Sequence, residues 1–202
     1  MMLKIVTLIL VAAFYICYFA KMLSQKRQGI DTDQLGKDKE GFIKFIEIAL
    51  KITTYILPVI QLISFFICKE EALLPLRVVG ICITACGVSA FILSVLQMKD
   101  NWRAGVQKKD KTELVTDGIY SISRNPAFLG FDLMYIGILL ASFNWYLFLT
   151  TGIALILFHL QIVNVEEDFL IERFDEEYIA YRSKVCRYSI RRRTKMQWRR
   201  VP

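Results

Sequence analysis

Residues 127–165 read AFLGFDLMYIGILLASFNWYLFLTTGIALILFHLQIVNV, and this stretch decides the fold. Asp132 and His159 interrupt an otherwise uncharged, largely apolar run. At 1.5 Å per residue, about 39 residues of helix cross a ~30 Å hydrocarbon core about twice. Little more than Asn144 separates the two halves, Ala127 to Phe143 and Trp145 to Val165, which predicts a tight antiparallel hairpin of membrane spans. The hairpin leaves one membrane face and returns to it. At its start stands Arg124-Asn125-Pro126, with proline at a first-turn position where its missing N–H costs nothing. At its end stands Asn164-Val165-Glu166-Glu167-Asp168. Carboxylates at a span terminus are expensive next to lipid unless they meet water, a cation or a ligand, and Arg124 is within the same polar layer.

Three more apolar stretches precede the hairpin: Leu3 to Leu23, Phe45 to Cys68 and Leu73 to Met98, the second containing Pro58. The first has neither an extended basic leader nor a small-residue cleavage site and reads as a retained helix. The 202-residue chain is 55% hydrophobic with a net charge of +7, and its mean hydropathy of +0.41 is too high for an ordinary soluble domain. The predicted fold class is therefore all-α: a polytopic membrane helix bundle of about five transmembrane helices, followed by a C-terminal amphipathic helix on the cytoplasmic side. Residues 1–202 form a single membrane domain, with three N-terminal spans in 1–98, a catalytic half in 99–190 and a basic tail in 191–202.

Lysine and arginine set the orientation, because cytoplasmic loops retain them. Lys26, Arg27, Lys37 and Lys39 follow the first span; Lys99, Arg103, Lys108, Lys109, Lys111 and Arg124 follow the third. These loops and the C-terminal tail read as cytoplasmic, with the N-terminus outside, in a bacterial inner membrane or one of endoplasmic-reticulum type. The Arg191 to Arg200 cluster includes Trp198 and reads as a contact for anionic lipid head groups rather than nucleic acid. Gln25 to Gly41 is polar with glycines and reads as a mobile loop. Cys17, Cys68, Cys82, Cys86 and Cys186 form no CxxC pair or histidine-supported cluster, so no metal is expected and the thiols read as small, reduced, buried residues. The C-terminus has no cysteine four from the end and is not a usual prenylation target. His159 reads as structural. Oligomeric state has no signature in the sequence.

Polar chemistry gathers between Asn101 and Arg187. Asp117-Gly118 marks a turn, and Phe169, Leu170, Phe174, Tyr178 and Tyr181 recur at helical spacing opposite Glu172, Glu176 and Arg182. That aromatic face serves either packing or a pocket.

An ordered set of short motifs stands in this region: Val106-Gln107, Thr112-Glu113-Leu114-Val115, Gly118-Ile119-Tyr120, Arg124 to Gly130, Glu166-Glu167, and Phe174-Asp175-Glu176-Glu177-Tyr178 with Tyr181 and Val185 beyond it. Together they resemble the isoprenylcysteine carboxyl methyltransferase family and its phospholipid N-methyltransferase relatives. The resemblance implies a membrane enzyme that binds S-adenosylmethionine without a Rossmann domain, in a cytoplasm-facing pocket closed by the C-terminal helix, with a lipophilic or lipid acceptor entering from the bilayer. By motif matching, Gln107, Thr112, Glu113, Leu114, Val115, Tyr120, Asn125, Pro126, Ala127, Phe128 and Glu166 are the implied cofactor-binding positions. Arg124, Glu167 and Tyr120 are the candidate catalytic groups, Glu167 or Tyr120 taking a proton if the acceptor is an amine.

Two positions depart from the family pattern. Asn125 stands where histidine is common; it can hydrogen-bond but cannot titrate near neutral pH. Ile162 stands where enzymes acting on prenylated proteins carry an arginine, which leaves a prenyl thioether acid, a phospholipid amine and a fatty or polyprenyl acid all open as acceptors. Sterol-reductase-type membrane enzymes share an arginine-x-proline motif and would use NADPH, yet a 2′-phosphate pocket calls for basic residues where Glu166 and Glu167 sit. A non-catalytic membrane scaffold is the remaining reading.

Overall fold

The computed structural model describes residues 2–67, 73–106 and 112–188. The order is α1 (Met2–Arg27), α2 (Gly41–Ile67), α3 (Leu74–Met98), short 3-10 turns at Lys99–Asn101 and Gly118–Ser121, α4 (Pro126–Ala141), α5 (Trp145–Gln161), a π-helical turn (Ile162–Glu166) and α6 (Glu167–Lys184). Among the described residues there is no strand, and Asp33 and Ala104 form an isolated parallel bridge. The molecule is an all-α membrane helix bundle. Four of its helices are long and apolar enough to cross a bilayer. Their outward faces carry large apolar side chains such as Ile9, Ile16, Phe66, Leu96 and Ile156, each more than half exposed, which only lipid solvates without penalty.

The hairpin forms where the sequence places it. Pro126 opens α4, and Asn144 caps α5, its Oδ1 accepting the Leu147 N–H at 2.9 Å. The first arm is shorter than the apolar run suggests: α4 has 16 residues, about 24 Å of helix. Ser142 and Phe143 belong to the connection because the Asn144 cap sets the next helix start.

α3 and α4 make the closest contact in the bundle. Glycines line both sides of the seam: a Cβ on Gly137 would stand 2.5 Å from the Gly80 carbonyl oxygen and 2.5 Å from Thr84 N, and one on Gly87 would stand 2.5 Å from Met134 N. Without a solvent-driven hydrophobic force between membrane helices, such close approach maximises dispersion contact. Beside the seam Phe14 of α1 stacks on Phe91 of α3 at 4.2 Å, with Phe131 of α4 edge-on to both.

Two expectations need correction. The Gln25–Gly41 segment is not a mobile strap but part of the fold. Gln25 is fully buried, its amide donating to Trp102 O at 2.9 Å and its oxygen accepting from Thr32 Oγ1 at 2.7 Å. Backbone bonds join Gln34 N to Ala104 O and Ala104 N to Thr32 O, and Gly36 N donates to the buried Glu47 carboxylate at 2.7 Å. Mutual satisfaction makes a polar segment buriable. The cysteines also differ: Cys82, Cys86 and Cys186 are exposed and Cys17 is intermediate, while Cys68 lies outside the described residues; on α3 a small apolar thiol is as acceptable toward lipid as toward a core. The expected C-terminal helix is α6, which continues α5 through the π turn, as one helical run from Trp145 to Lys184, and breaks at Asp175, where φ is 41° and ψ −117°.

Candidate active site

The return of the hairpin brings the polar groups at its two ends into one layer. The π turn spans Ile162–Glu166; its extra residue changes the angular register of α6 relative to α5, as such bulges do at many functional sites. Glu166 then lines a cavity, while the Glu167 side chain lies beside it in a buried ion cluster with Arg124 and Arg187. Arg124 Nη2 lies 3.0 Å from Glu167 Oε1, with the two side chains 7% and 4% exposed. Arg187 grips the same carboxylate through Nε at 2.8 Å and Nη2 at 2.9 Å, the bidentate geometry a guanidinium fork allows. Arg124 Nη1 also donates to the Tyr178 hydroxyl at 3.0 Å.

The chain beyond α6 closes the same corner. Arg124 N donates to Cys186 O at 3.0 Å, and Ser123 Oγ and Asn125 Nδ2 both donate to Arg187 O, at 3.1 and 3.3 Å. Tyr181 donates its hydroxyl proton to Tyr120 O at 2.6 Å. Tyr120 is itself buried, its hydroxyl 2.7 Å from Ser94 Oγ on α3. Burial pushes the Tyr120 phenol well above its usual range, the Ser94 bond opposing only in part, so it keeps its proton at neutral pH. The turn carrying it needs glycine at 118, where φ is 58° and a Cβ would meet the Gln97 side chain at 2.7 Å.

The cavity encloses about 850 Å³ including its mouth. Of the positions marked by motif, Thr112, Glu113, Leu114, Val115, Tyr120, Asn125, Ala127, Phe128 and Glu166 line it, and so does Arg124. Pro126 and Glu167 are not in its lining; they start α4 and hold Arg124 respectively. Gln107 lies outside the described residues, as do Lys108, Lys109, Lys111 and the basic tail from Arg191 to Arg200. The aromatic stripe of α6 turns out to serve the cavity: Phe169, Leu170, Phe174 and Tyr181 form one wall, whereas Tyr178 packs behind it against Arg124. His159 stands apart from the cavity, its Nδ1 2.8 Å from the Tyr188 hydroxyl.

Sequence reasoning missed four contributors. Arg187 has no local signal, since its role depends on a contact 20 positions away. Gln161, fully buried and hydrogen-bonded to both Glu47 and Glu166 at 3.3 Å, had one: a polar amide inside an apolar span. Trp102 and Arg103 also line the cavity. Three buried polar atoms at this site, Thr112 Oγ1, Arg124 Nε and Arg103 Nε, have no hydrogen-bond partner among the described residues. Such atoms cost about 1–3 kcal/mol each unless a ligand or water meets them. No group of histidine, cysteine, aspartate and glutamate among the described residues could hold a metal ion.

A membrane helix bundle with a polar, aromatic-walled cavity at the ends of a returning hairpin defines the class of protein. Residues 76–177, half of the chain, match the family described as phospholipid methyltransferase, and the chain belongs to that family. Two curated relatives are similar over a shorter stretch. The protein-S-isoprenylcysteine O-methyltransferase of Saccharomyces cerevisiae is 39% identical over 79 residues, which is 39% of this chain and 33% of the relative. That of Schizosaccharomyces pombe is 35% identical over 79 residues, 39% of this chain and 34% of the relative. The matched stretch thus spans about a third of the length of those relatives.

Proposed function

We propose that the protein is an integral membrane methyltransferase that uses S-adenosylmethionine to methylate a lipophilic acceptor, with its site on the cytoplasmic side and its N-terminus outside. The observation that carries this reading is the convergence of nine motif positions on one cavity, from three separate parts of the chain. Family membership and the names of the two relatives support the reaction class. The charge bias of the loops supports the sidedness.

The cavity suits the cofactor on its own chemistry. S-adenosylmethionine, when bound, supplies an electrophilic methyl group on a sulfonium centre. Glu166 and Glu113 offer carboxylates to a ligand with positive charge, and the unpartnered Thr112 Oγ1 and Arg124 Nε offer a hydroxyl and a donor to its polar ends. Phe128, Phe169 and Phe174 supply apolar faces that exclude water and suit a planar base. Arg124 is held at its place by Glu167 and Tyr178, which makes Glu167 a positioning residue rather than a proton acceptor: both its oxygens are engaged by arginine. Tyr120, protonated and tied to Ser94, holds the α3 side of the cavity and is likewise no base.

The acceptor side is a second, larger cavity of about 1130 Å³, separated from the first by residues that line both: Trp102, Arg103, Gly105, Ala127 and Phe128. A shared wall places an acceptor's reactive end beside the cofactor while its apolar body stays among the helices, the proximity on which group transfer depends. Calorimetric titration of the detergent-solubilised protein with S-adenosylmethionine and, separately, with NADPH tests the reading. Saturable binding of S-adenosylmethionine is the expected result; binding of NADPH alone would overturn it.

A further inference from the structure

Gln161 is the last residue of α5, and the π turn that follows it changes which residues it can meet. Around an ordinary α-helix two residues five apart point about 140° away from each other. The wider π turn brings them back toward one face, and Gln161 Nε2 meets Glu166 Oε1 at 3.3 Å. The same nitrogen meets Glu47 Oε1 of α2, also at 3.3 Å. One NH₂ group is thus stretched between two carboxylates, each contact longer than the roughly 2.9–3.0 Å typical of such bonds. Its carbonyl end does not pin it, because Gln161 Oε1 is buried and bonded to nothing described.

Glu47 is fully buried, and its other oxygen accepts the Gly36 N–H at 2.7 Å. At Gly36 φ is 78° and a Cβ would stand 3.2 Å from Ile48 Cγ1, so the 32–36 strap lies close on α2 there. Just upstream, Asp33 pairs with Lys51 at 2.6 Å, and Asp33 and Leu35 line the second cavity, as does Gln161 itself. A continuous line of polar contacts therefore runs from Glu166 in the first cavity, through Gln161 and Glu47, to the strap that walls the second. Glu47 and the strap lie outside residues 76–177 that the chain shares with its family.

We propose that Glu47 and Gln161 are positioning residues that steady Glu166 and relay occupancy of the first cavity to the strap. The inference rests on the methyltransferase reading, in which a cationic cofactor engages Glu166, and deepens it by tying that event to the N-terminal part of the chain. With the first cavity empty, two carboxylates compete for one amide. A positive charge at Glu166 weakens that competitor, and Gln161 settles on Glu47. Glu47, then held firmly at both oxygens, keeps the Gly36 N–H bonded for a larger share of the time. An amide with two resting points is the kind of two-state element that coupling between sites requires. By linkage, a strap bound firmly to Glu47 in turn favours the cofactor.

The test is amide hydrogen exchange of the full chain in detergent micelles, with and without saturating S-adenosylmethionine, read at single amides by mass spectrometry with electron-transfer fragmentation. The Gly36 amide is expected to exchange about fivefold or more slowly with the cofactor bound, the low end of coupling between sites. The Gln34 amide, which donates to Ala104 O, is the internal control for effects that reach the strap directly through the Trp102–Gly105 wall. In Glu47→Gln a neutral group still accepts from Gly36 but no longer competes as a charge for Gln161, and in Gln161→Leu the amide is gone at similar size. Both variants are expected to lose the cofactor-dependent slowing at Gly36 while keeping whatever slowing Gln34 shows. Gly36 exchange that ignores the cofactor in the unsubstituted chain overturns the relay, as does slowing that persists in full in both variants. Should neither variant fold, the response of Gly36 in the unsubstituted chain, compared with that of Gln34, decides alone: slowing no greater than at Gln34 overturns the relay. Calorimetry of S-adenosylmethionine on the same preparation separates the two claims. Binding without slowing at Gly36 removes the relay only; absence of binding removes the methyltransferase reading, and the relay with it.

Discussion

Replacing Glu167 by glutamine tests the electrostatic centre of the site with the least change of shape. The carboxylate receives three charge-assisted contacts, from Arg124 Nη2 at 3.0 Å and from Arg187 Nε and Nη2 at 2.8 and 2.9 Å. A neutral amide keeps one acceptor oxygen and turns its NH₂ group toward a guanidinium. Arg124, 7% exposed, then becomes a buried cation without a counter-charge, and breaking a buried pair in this way costs about 3–5 kcal/mol. Arg187→Gln removes the other partner, but Arg187 is 28% exposed, so water screens part of its contribution and the loss is about 1 kcal/mol. Unfolding of the detergent-solubilised variants by increasing mole fraction of a denaturing detergent, monitored by circular dichroism, reads both values. Glu167→Gln is predicted to lose at least twice as much stability as Arg187→Gln and to weaken S-adenosylmethionine binding, because Arg124 lines the cavity. Equal losses for the two variants, or a Glu167→Gln loss below about 1 kcal/mol, would refute the assignment of Glu167 as the group that holds Arg124.

Other parts of the structure give three further expected outcomes. Gly137→Ala puts a methyl group 2.5 Å from backbone atoms of α3 and is expected to cost about 1–3 kcal/mol by overpacking, whereas Gly152→Ala, with nothing within 4 Å, should be neutral in the same unfolding assay. Gln25→Ala strips the Trp102 carbonyl and Thr32 hydroxyl of their buried partner; amide exchange of residues 28–36 should accelerate by about tenfold or more, the loss of roughly one buried hydrogen bond, and unchanged exchange would mean the linker is held by other contacts. Glu166→Gln, which keeps the contact with Gln161 but loses the carboxylate facing the cavity, should weaken S-adenosylmethionine by about tenfold to a hundredfold in calorimetry.

The elements that were legible in the sequence are those whose cause is local. The apolar length of 127–165, proline at 126 and the capping asparagine at 144 act within a turn or two of themselves, and the hairpin they predict is the hairpin observed. Its consequence, that Arg124 meets the Glu166-Glu167 pair, stems from helix rise alone and is realised at 3.0 Å for Glu167. The π turn at Ile162–Glu166 has no such cause. It inserts one residue into a run that reads as ordinary helix, and it decides which of two adjacent glutamates faces the cavity and which faces the arginines. The Gln25–Gly41 segment misled for a related reason: its polarity and glycines are those of a solvent loop, and its burial depends on Trp102, Ala104 and Glu47, residues far along the chain that satisfy it one bond at a time. Arg187 belongs to the same category. Hydrophobic period and capping are written in neighbouring residues; a buried polar network is written in the contacts of the finished fold.

One experiment decides whether the protein transfers methyl groups to a lipophilic acceptor. Purified protein is incubated with S-adenosylmethionine carrying an isotopically labelled methyl group and a total lipid extract of the host, and labelled products are identified by mass spectrometry. Label is expected in a lipid-soluble product, greatly reduced in Glu166→Gln. An extract without any labelled lipid, from protein shown to bind S-adenosylmethionine, would contradict methyl transfer to a lipophilic acceptor.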